Sequence, residues 1–356
     1  MIGIKLIRKL AMRAITRQST ARCDTKQYIS YLLSDPLSTS CTRLSKVMGD
    51  VSHDSVNRFL LREEFSPSDL YHEVAPHFNN KGGILSIDDS VLDKPYSDPK
   101  KSHLVDYYWS GKHHSVVKGC NIITLFYTDP ENARLPVNYR IYDKADGKSK
   151  NDYFLEMLDE VLSWGLLPAW VTGDCWYSSL KNLKHVRKNG LNFLFGVEGN
   201  RLISVEKGSY VQSQALEEYP ADGATVYLKE YGKVKLFKQT RKNVSRYYII
   251  SAAQLDDLDD MNSGDFEKVH AAHWNIEIFH RAIKQVCHIE HFQVRQTQAV
   301  SNHIHCSLLA FVQLEIMTLK QEIKNWYQLK KNLFLNVIRQ FISEGACIRC
   351  PVHLHA

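Results

Sequence analysis

Between residues 82 and 197 the chain switches repeatedly between two hydrophobic periods, and this alternation limits its possible folds more than any other feature. GGILSIDDS (82–90) is a short apolar run bounded by glycines, and VVKGCNIITLFYT (116–128) and RLPVNYRIY (134–142) are two more apolar or alternating runs of strand length. NDYFLEMLDEVLSWG (151–165) instead repeats apolar residues at 154, 155, 158, 161 and 162, which is helical spacing. PAWVTGD (168–174) returns to strand character, YSSLKNLKHVRKNG (177–190) to helix and LNFLFGV (191–197) to strand. The order strand, strand, strand, helix, strand, helix, strand predicts a mixed sheet covered by helices, with the first three strands antiparallel.

That is the ribonuclease H-like order, so the expected class is α/β with a catalytic core over 81–197. ATVYLKEYGKVKLFKQT (224–240) and RYYIISAA (246–253) predict a β-rich insertion over 198–255 that separates this sheet from later helices. Helices resume near residue 262, after the acidic LDDLDD and at Gly264, giving a second core part over 256–325. NLFLNVIRQFI (332–342) predicts a further helix in a C-terminal segment, 326–356.

Residues 1–80 read as a helical domain. Its first eighteen residues are basic and amphipathic, and we read them as a helical arm rather than a targeting segment. Residues 24–80 are punctuated by Pro36, Pro67 and Pro76. Within them TRLSKVMGDVSHDSVNRFLLREEF (42–65) predicts a helix, a turn at Gly49 and Asp50, a Ser52 cap and a second helix. Val56, Phe59 and Leu60 would face inward, leaving His53, Asp54, Asn57 and Arg58 outward. Such a helix-turn-helix can place Asn and Arg in a DNA major groove, where both make bidentate contacts with base edges.

Composition excludes other classes. With 44% hydrophobic and 24% charged residues the chain is ordinary globular material, and no apolar run approaches the roughly 18 to 20 residues that span a bilayer. The net charge of +6 permits a polyanionic partner without requiring one. Eight scattered cysteines fit reduced thiols in a cytoplasm better than a disulfide framework. Only Cys347 and Cys350 form a CxxC, followed by His353 and His355; this His spacing is shorter than a zinc finger uses, so a knuckle is not expected.

Three acids fall at informative positions: Asp88 at the end of the first strand, Asp174 just after the fourth, and Glu277 on the helix after the insertion. Sheet proteins present active groups at strand ends. Converging carboxylates suit magnesium, with manganese as a substitute, and two such ions stabilise both the attacking and leaving oxygens in phosphoryl transfer. Asp88 and Asp89 are adjacent and should point to opposite sides of a strand, so only one belongs to the site. The basic and aromatic KKSHLVDYYWSGKHHSVVKG (100–119) reads as a loop whose Lys112, His113, His114 and Lys118 can contact DNA phosphates.

IDDS (87–90), VTGDCWYS (171–178) and HAAHWNIEIFHRAIK (270–284) resemble the three catalytic motifs of bacterial insertion-sequence DDE transposases. The third resembles the Y-x2-R-x3-E-x6-K signature of the IS-four superfamily: Glu277 is followed by six residues and Lys284, while His270 and His273 stand where Tyr and Arg are expected. The resemblance spans roughly 20–325. It implies a ribonuclease H-like fold, binding to double-stranded DNA at the terminal inverted repeats of an element, cleavage of those ends and strand transfer into target DNA, with a homodimer on paired ends. It also favours Asp88 through an Asp-x-Ser pattern, and assigns Lys284, His270 and His273 to phosphate contacts. Because an unperturbed His titrates near pH 6.5, end binding through His273 is expected to loosen between roughly pH 6 and 8. The competing readings are a nuclease of the same fold that only hydrolyses DNA and a domesticated DNA-binding protein without catalysis.

Overall fold

The computed structural model describes residues 22–35, 40–206 and 208–343. The N-terminal arm and the CxxC with its two histidines lie outside these residues. The described residues form two compact units, one drawn from those up to 59, from 282–293 and from 306 onward, the other from those within 60–281 and 294–305.

In the first unit, α1 (Thr25–Ser34) starts at a capping box in which Asp24 and Gln27 satisfy each other's backbone N–H groups. α2 (Cys41–Met48) is capped by Ser40 and ends at Gly49, whose φ of +77° suits glycine. α3 (His53–Arg62) begins where the Ser52 hydroxyl accepts from the Ser55 N–H at 3.2 Å. Val56, Phe59 and Leu60 are buried and His53, Asp54, Asn57 and Arg58 exposed, the inside-outside division expected from the spacing.

The second unit holds the sheet. α4 (Pro67–Val74) packs against β4, so residues 60–80 accompany the core rather than the preceding helices. Its Tyr71 lies against Trp164 and Phe78, and Phe78 against Tyr127. β1 (Ile84–Asp93), β2 (Asp106–Ser110), β3 (Ser115–Thr128) and β4 (Arg134–Tyr142) precede α5 (Lys150–Ser163), β5 (Trp170–Gly173), α6 (Leu180–Lys188) and β6 (Asn192–Val197). β3 pairs antiparallel with β1, β2 and β4, while β5 runs parallel to both β1 and β6. The antiparallel trio and the mixed sheet thus stand as expected.

Two features differ. The supposed basic loop contains β2, hairpinned to β3, because the alternating DYYWS suits a half-exposed strand. The insertion does not stand apart from the sheet but enlarges it: β7 (Leu202–Ser204), β8 (Val211–Gln212), β9 (Ala224–Leu228), β10 (Gly232–Arg241) and β11 (Val244–Ser251) continue it, with β11 antiparallel to β6. The exposed edge of β6 has unpaired backbone groups, and β11 satisfies them.

α7 (Ser263–Gln285) crosses this sheet. Val269, Ala272, Ile276 and Phe279 recur at three- and four-residue spacing and are buried, with Phe279 stacked on Phe126 of β3 at 4.7 Å. α8 (Thr297–Leu319), α9 (Gln328–Leu333) and α10 (Leu335–Ser343) follow. Among the described residues no helix is long and apolar enough to cross a membrane.

Candidate active site

β1 runs beside β5 with Ile87 opposite Gly173, where their pairing stops, so Asp88 and Asp174 follow at the same level of the sheet. Asp88 does not end its strand as expected, because pairing with β3 carries β1 on to Asp93. The approach is close: a Cβ on Gly173 would lie 2.7 Å from Ile87 Cγ2 and 2.9 Å from Phe195 Cε1, which explains the glycine before the aspartate.

Pleat alternation then sorts the adjacent acids. Asp88 shares its face of the sheet with Thr124 and Phe126, the side on which Phe279 seats α7. The Asp88 Oδ2 lies 3.4 Å from Nδ1 of buried His280, one turn beyond Glu277 on α7. Asp89 turns the other way, where Asn121 and Lys150 each donate to Oδ2 at 2.7 Å and Tyr177 donates to Oδ1 at 3.2 Å. Both of its oxygens are therefore engaged by protein donors.

Electrostatics tie the acids together. Burial in the surrounding protein, then the Asp88 and Asp89 carboxylates, push the Asp174 carboxyl up to about 7, although the residue keeps exposed surface. Glu277 is likewise raised, by burial and then by Asp88, with His280, Arg281 and Arg246 opposing. Asp88 is the charge common to both. Such repulsion is relieved by a cation, and all-oxygen carboxylate donors fit a hard divalent ion. Among the described residues, no three His, Cys, Asp or Glu side chains are yet drawn together as a ligand set. The chemistry of the donors, not a closed cage, carries the fit.

The remaining predicted residues stand as follows. His270 is lowered by burial and by Arg246, its Nε2 is 3.2 Å from the Tyr248 hydroxyl and its ring stacks on Phe266. Burial pushes His273 down to about 4, with His270 and His280 adding to the effect. His273 is therefore neutral throughout pH 6 to 8, and the titration expected there belongs near pH 4. Lys112 and His113 each stand 2.8 Å from the Asp93 carboxylate, and His114 is exposed in the following turn. Lys118 is half-buried on β3. Lys284 belongs to the first unit, 3.9 Å from Glu290.

His280, Lys150, Asn121 and Tyr177 were not singled out from sequence. Glu277-x-x-His280 at one-turn spacing was the available signal for the first. Tyr177 lies within the VTGDCWYS motif, while Lys150 and Asn121 come from other elements and carry no signal.

The family described as Transposase DDE domain matches residues 79–312, which includes all three acids. The chain belongs to this family. Among solved structures the transposase chain is similar to that of the "piggyBac transposase synaptic complex with hairpin DNA", with 11% identity, 96% of this chain and 76% of that one covered, and a TM-score of 0.50; this likeness is one of fold. A chain of the "Drosophila P element transposase strand transfer complex" is similar over 53% of this chain and 39% of its own, at 10% identity and a TM-score of 0.19. No curated protein sequence matches. The mixed sheet with its helices is thus a ribonuclease H-like transposase fold.

The raised Asp174 pKa gives this transposase an unusual acid response. The fold favours the protonated form, so this contribution is fully present below pH about 4 and is lost as pH rises through about 7. After allowance for solvent screening of an exposed group, about 1 to 2 kcal/mol is at stake. Without divalent metal, Asp174→Asn is expected to melt progressively higher than wild type from pH 4 to 7.5. Parallel melting curves for the two proteins would refute the coupling.

Proposed function

We propose that this chain is an insertion-sequence transposase of the IS-four superfamily that binds the terminal inverted repeats of its element, cleaves the phosphodiester at each end and joins the freed ends to target DNA. The observation that carries this reading is the placement of Asp88 on β1 where its parallel pairing with β5 ends, of Asp174 directly after β5, and of Glu277 on the helix that packs on the Asp88 face of the sheet, all inside the matched family region.

Asp88, Asp174 and Glu277 would hold magnesium, or manganese in its place. When bound, the metal supplies positive charge for the attacking and leaving oxygens of phosphoryl transfer. The chain's own residues do the rest. Gly173 lets β1 and β5 approach so that two carboxylates reach one place. His280 steadies Asp88, and Lys150, Asn121 and Tyr177 tie Asp89 away on the other face. His270 and His273, neutral and packed, seat the Glu277 helix. Lys284, Lys112 and Lys118 are assigned to DNA phosphates, Lys112 exchanging Asp93 for a phosphate.

The working form is a homodimer on paired ends, acting in the cytoplasm, where the six described cysteines, all free, would stay reduced. The test is incubation of purified protein with magnesium and a duplex carrying the inverted repeat that flanks its coding region. End cleavage followed by joining to a second duplex is the expected result. Hydrolysis without joining would replace this reading with a nuclease, and binding without either reaction with a non-catalytic DNA-binding protein.

The exposed face of α3 is assigned to base recognition. Asn57→Ala and Arg58→Ala should each weaken binding to element ends by about 1 to 3 kcal/mol, the worth of a bidentate base contact, while leaving binding to unrelated duplex nearly unchanged. Identical footprints of wild type and the double variant on element ends would remove this face from recognition.

A further inference from the structure

Residues 238–246 of the β10–β11 hairpin read KQTRKNVSR, four cations without an acid. Pairing runs to the tip, where Arg241 stands opposite Val244. Lys242 and Asn243 close the turn at φ +48° and +64°, the paired positive values of a two-residue hairpin turn that keeps the strand twist. Residues 238–244 and Arg246 are exposed, so the end of the hairpin is open to solvent on both faces.

Register separates the cations. Phe237 pairs with Tyr248, Gln239 with Arg246 and Arg241 with Val244, which places Arg241 and Arg246 on the face that carries Phe237 and Tyr248. Phe266 of α7 packs on Phe237 and Tyr248, and His270 packs on Tyr248, so this is the α7 face. Arg246, two residues from Tyr248, acts electrostatically on both His270 and Glu277. Lys238 lies on the opposite face, its ammonium 5.0 Å from the centre of the Tyr219 ring. Among the described residues, the side chains of Arg241 and Arg246 form no hydrogen bond or ion pair.

We propose that Arg241 and Arg246, with Lys242 at the turn, grip the phosphate backbone of duplex DNA and hold it along the Glu277 side of the active site. The proposal rests on the transposase reading above. Exposed guanidinium groups without a carboxylate partner present their donor forks to phosphate oxygens. The fixed cation that neutral His273 does not supply at its signature position thus comes from another element, across the sheet-helix interface. Because these contacts address phosphates, they add affinity without sequence preference.

The test is binding of a labelled duplex of arbitrary sequence across a series of salt concentrations. Each lost phosphate contact lowers the slope of log affinity against log salt by about 0.9. Arg241→Ala/Arg246→Ala should therefore lose about 1.8 of the wild-type slope. Arg241→Lys/Arg246→Lys should keep most of it, and Lys238→Ala, on the other face, should keep all of it. An unchanged slope in the double Ala variant overturns the proposal, and so does an equal loss in Lys238→Ala, which would indicate diffuse attraction rather than this face. Arg246→Gln, which retains the side chain's bulk, should lose half the effect of the pair and guards against a folding artefact. Element-end cleavage by wild type together with an unchanged slope in the double variant sinks the ribbon alone. Salt-dependent binding without any cleavage or joining by wild type sinks the transposase reading instead.

Discussion

Asp88→Asn, Asp174→Asn and Glu277→Gln are each expected to lower magnesium-dependent cleavage of element ends by on the order of 10³-fold, because metal charge stabilisation contributes several kcal/mol and 1.36 kcal/mol is a factor of ten. The substitutions keep shape and remove charge. Since Asp88 raises both Asp174 and Glu277 in the absence of a cation, Asp174→Asn and Glu277→Gln should be no less stable than wild type when metal-free, and Asp174→Asn should be more stable near neutral pH. Loss of activity with retained or increased melting temperature is the signature of a metal ligand rather than a structural acid. Asp89 should behave in the opposite manner. Its oxygens are taken by Asn121, Lys150 and Tyr177, so Asp89→Asn leaves a mostly buried Lys150 ammonium without its charge partner and should destabilise the fold. Cleavage kinetics and thermal melts on the four variants decide the matter. An active Asp88→Asn beside an inactive but stable Asp89→Asn would transfer the first carboxylate to Asp89.

Phe279→Ala is expected to cost about 3 to 5 kcal/mol of stability, the range for emptying a buried aromatic site. Phe279 is fully buried and stacks on Phe126 of β3, two residues along the helix from Glu277. The cavity would lie beneath the stretch of α7 that bears Glu277 and His280, so the loss should reach the site as well as the fold. Cleavage measured well below the melting temperature should fall, with a higher magnesium requirement, as the stretch of α7 that bears Glu277 is no longer seated on Phe126. Phe279→Leu, closer in volume, should recover most of both quantities, at a cost below about 1.5 kcal/mol. Denaturant unfolding and magnesium titrations of cleavage check this pair. A Phe279→Ala protein as stable as wild type would show that α7 is anchored elsewhere.

Part of the site could be read directly from the chain. Asp88 and Asp174 follow apolar runs that could only be strands, and Glu277 lies within a helical repeat of apolar residues, so local periodicity was enough to place all three on their elements. The opposite facing of Asp88 and Asp89 likewise follows from the two-residue period of a strand. The inward set Val56, Phe59 and Leu60 follows from helical spacing in the same way. Local pattern failed where the decisive partner is distant. DYYWS was passed over as loop because five half-exposed residues become a strand only when β3 supplies the hydrogen bonds. The residues after 198 were expected as a separate insertion because no local feature states that β11 will satisfy the open edge of β6.

The histidines show the same division. From sequence, His270 and His273 carry ordinary imidazole chemistry and a titration near neutrality. The tertiary structure surrounds His273 with protein and with two other histidines, and the cost of charging it there moves its pKa to about 4. Which residues are acidic, and which face of most strands and helices is apolar, follow from covalent order and from periods of two and 3.6 residues. Which acids raise one another, which of two adjacent aspartates is already engaged by Lys150, and how far burial lowers an imidazole pKa follow from the folded chain. Those are properties of charge separation and burial, and both are set by residues far apart in the chain.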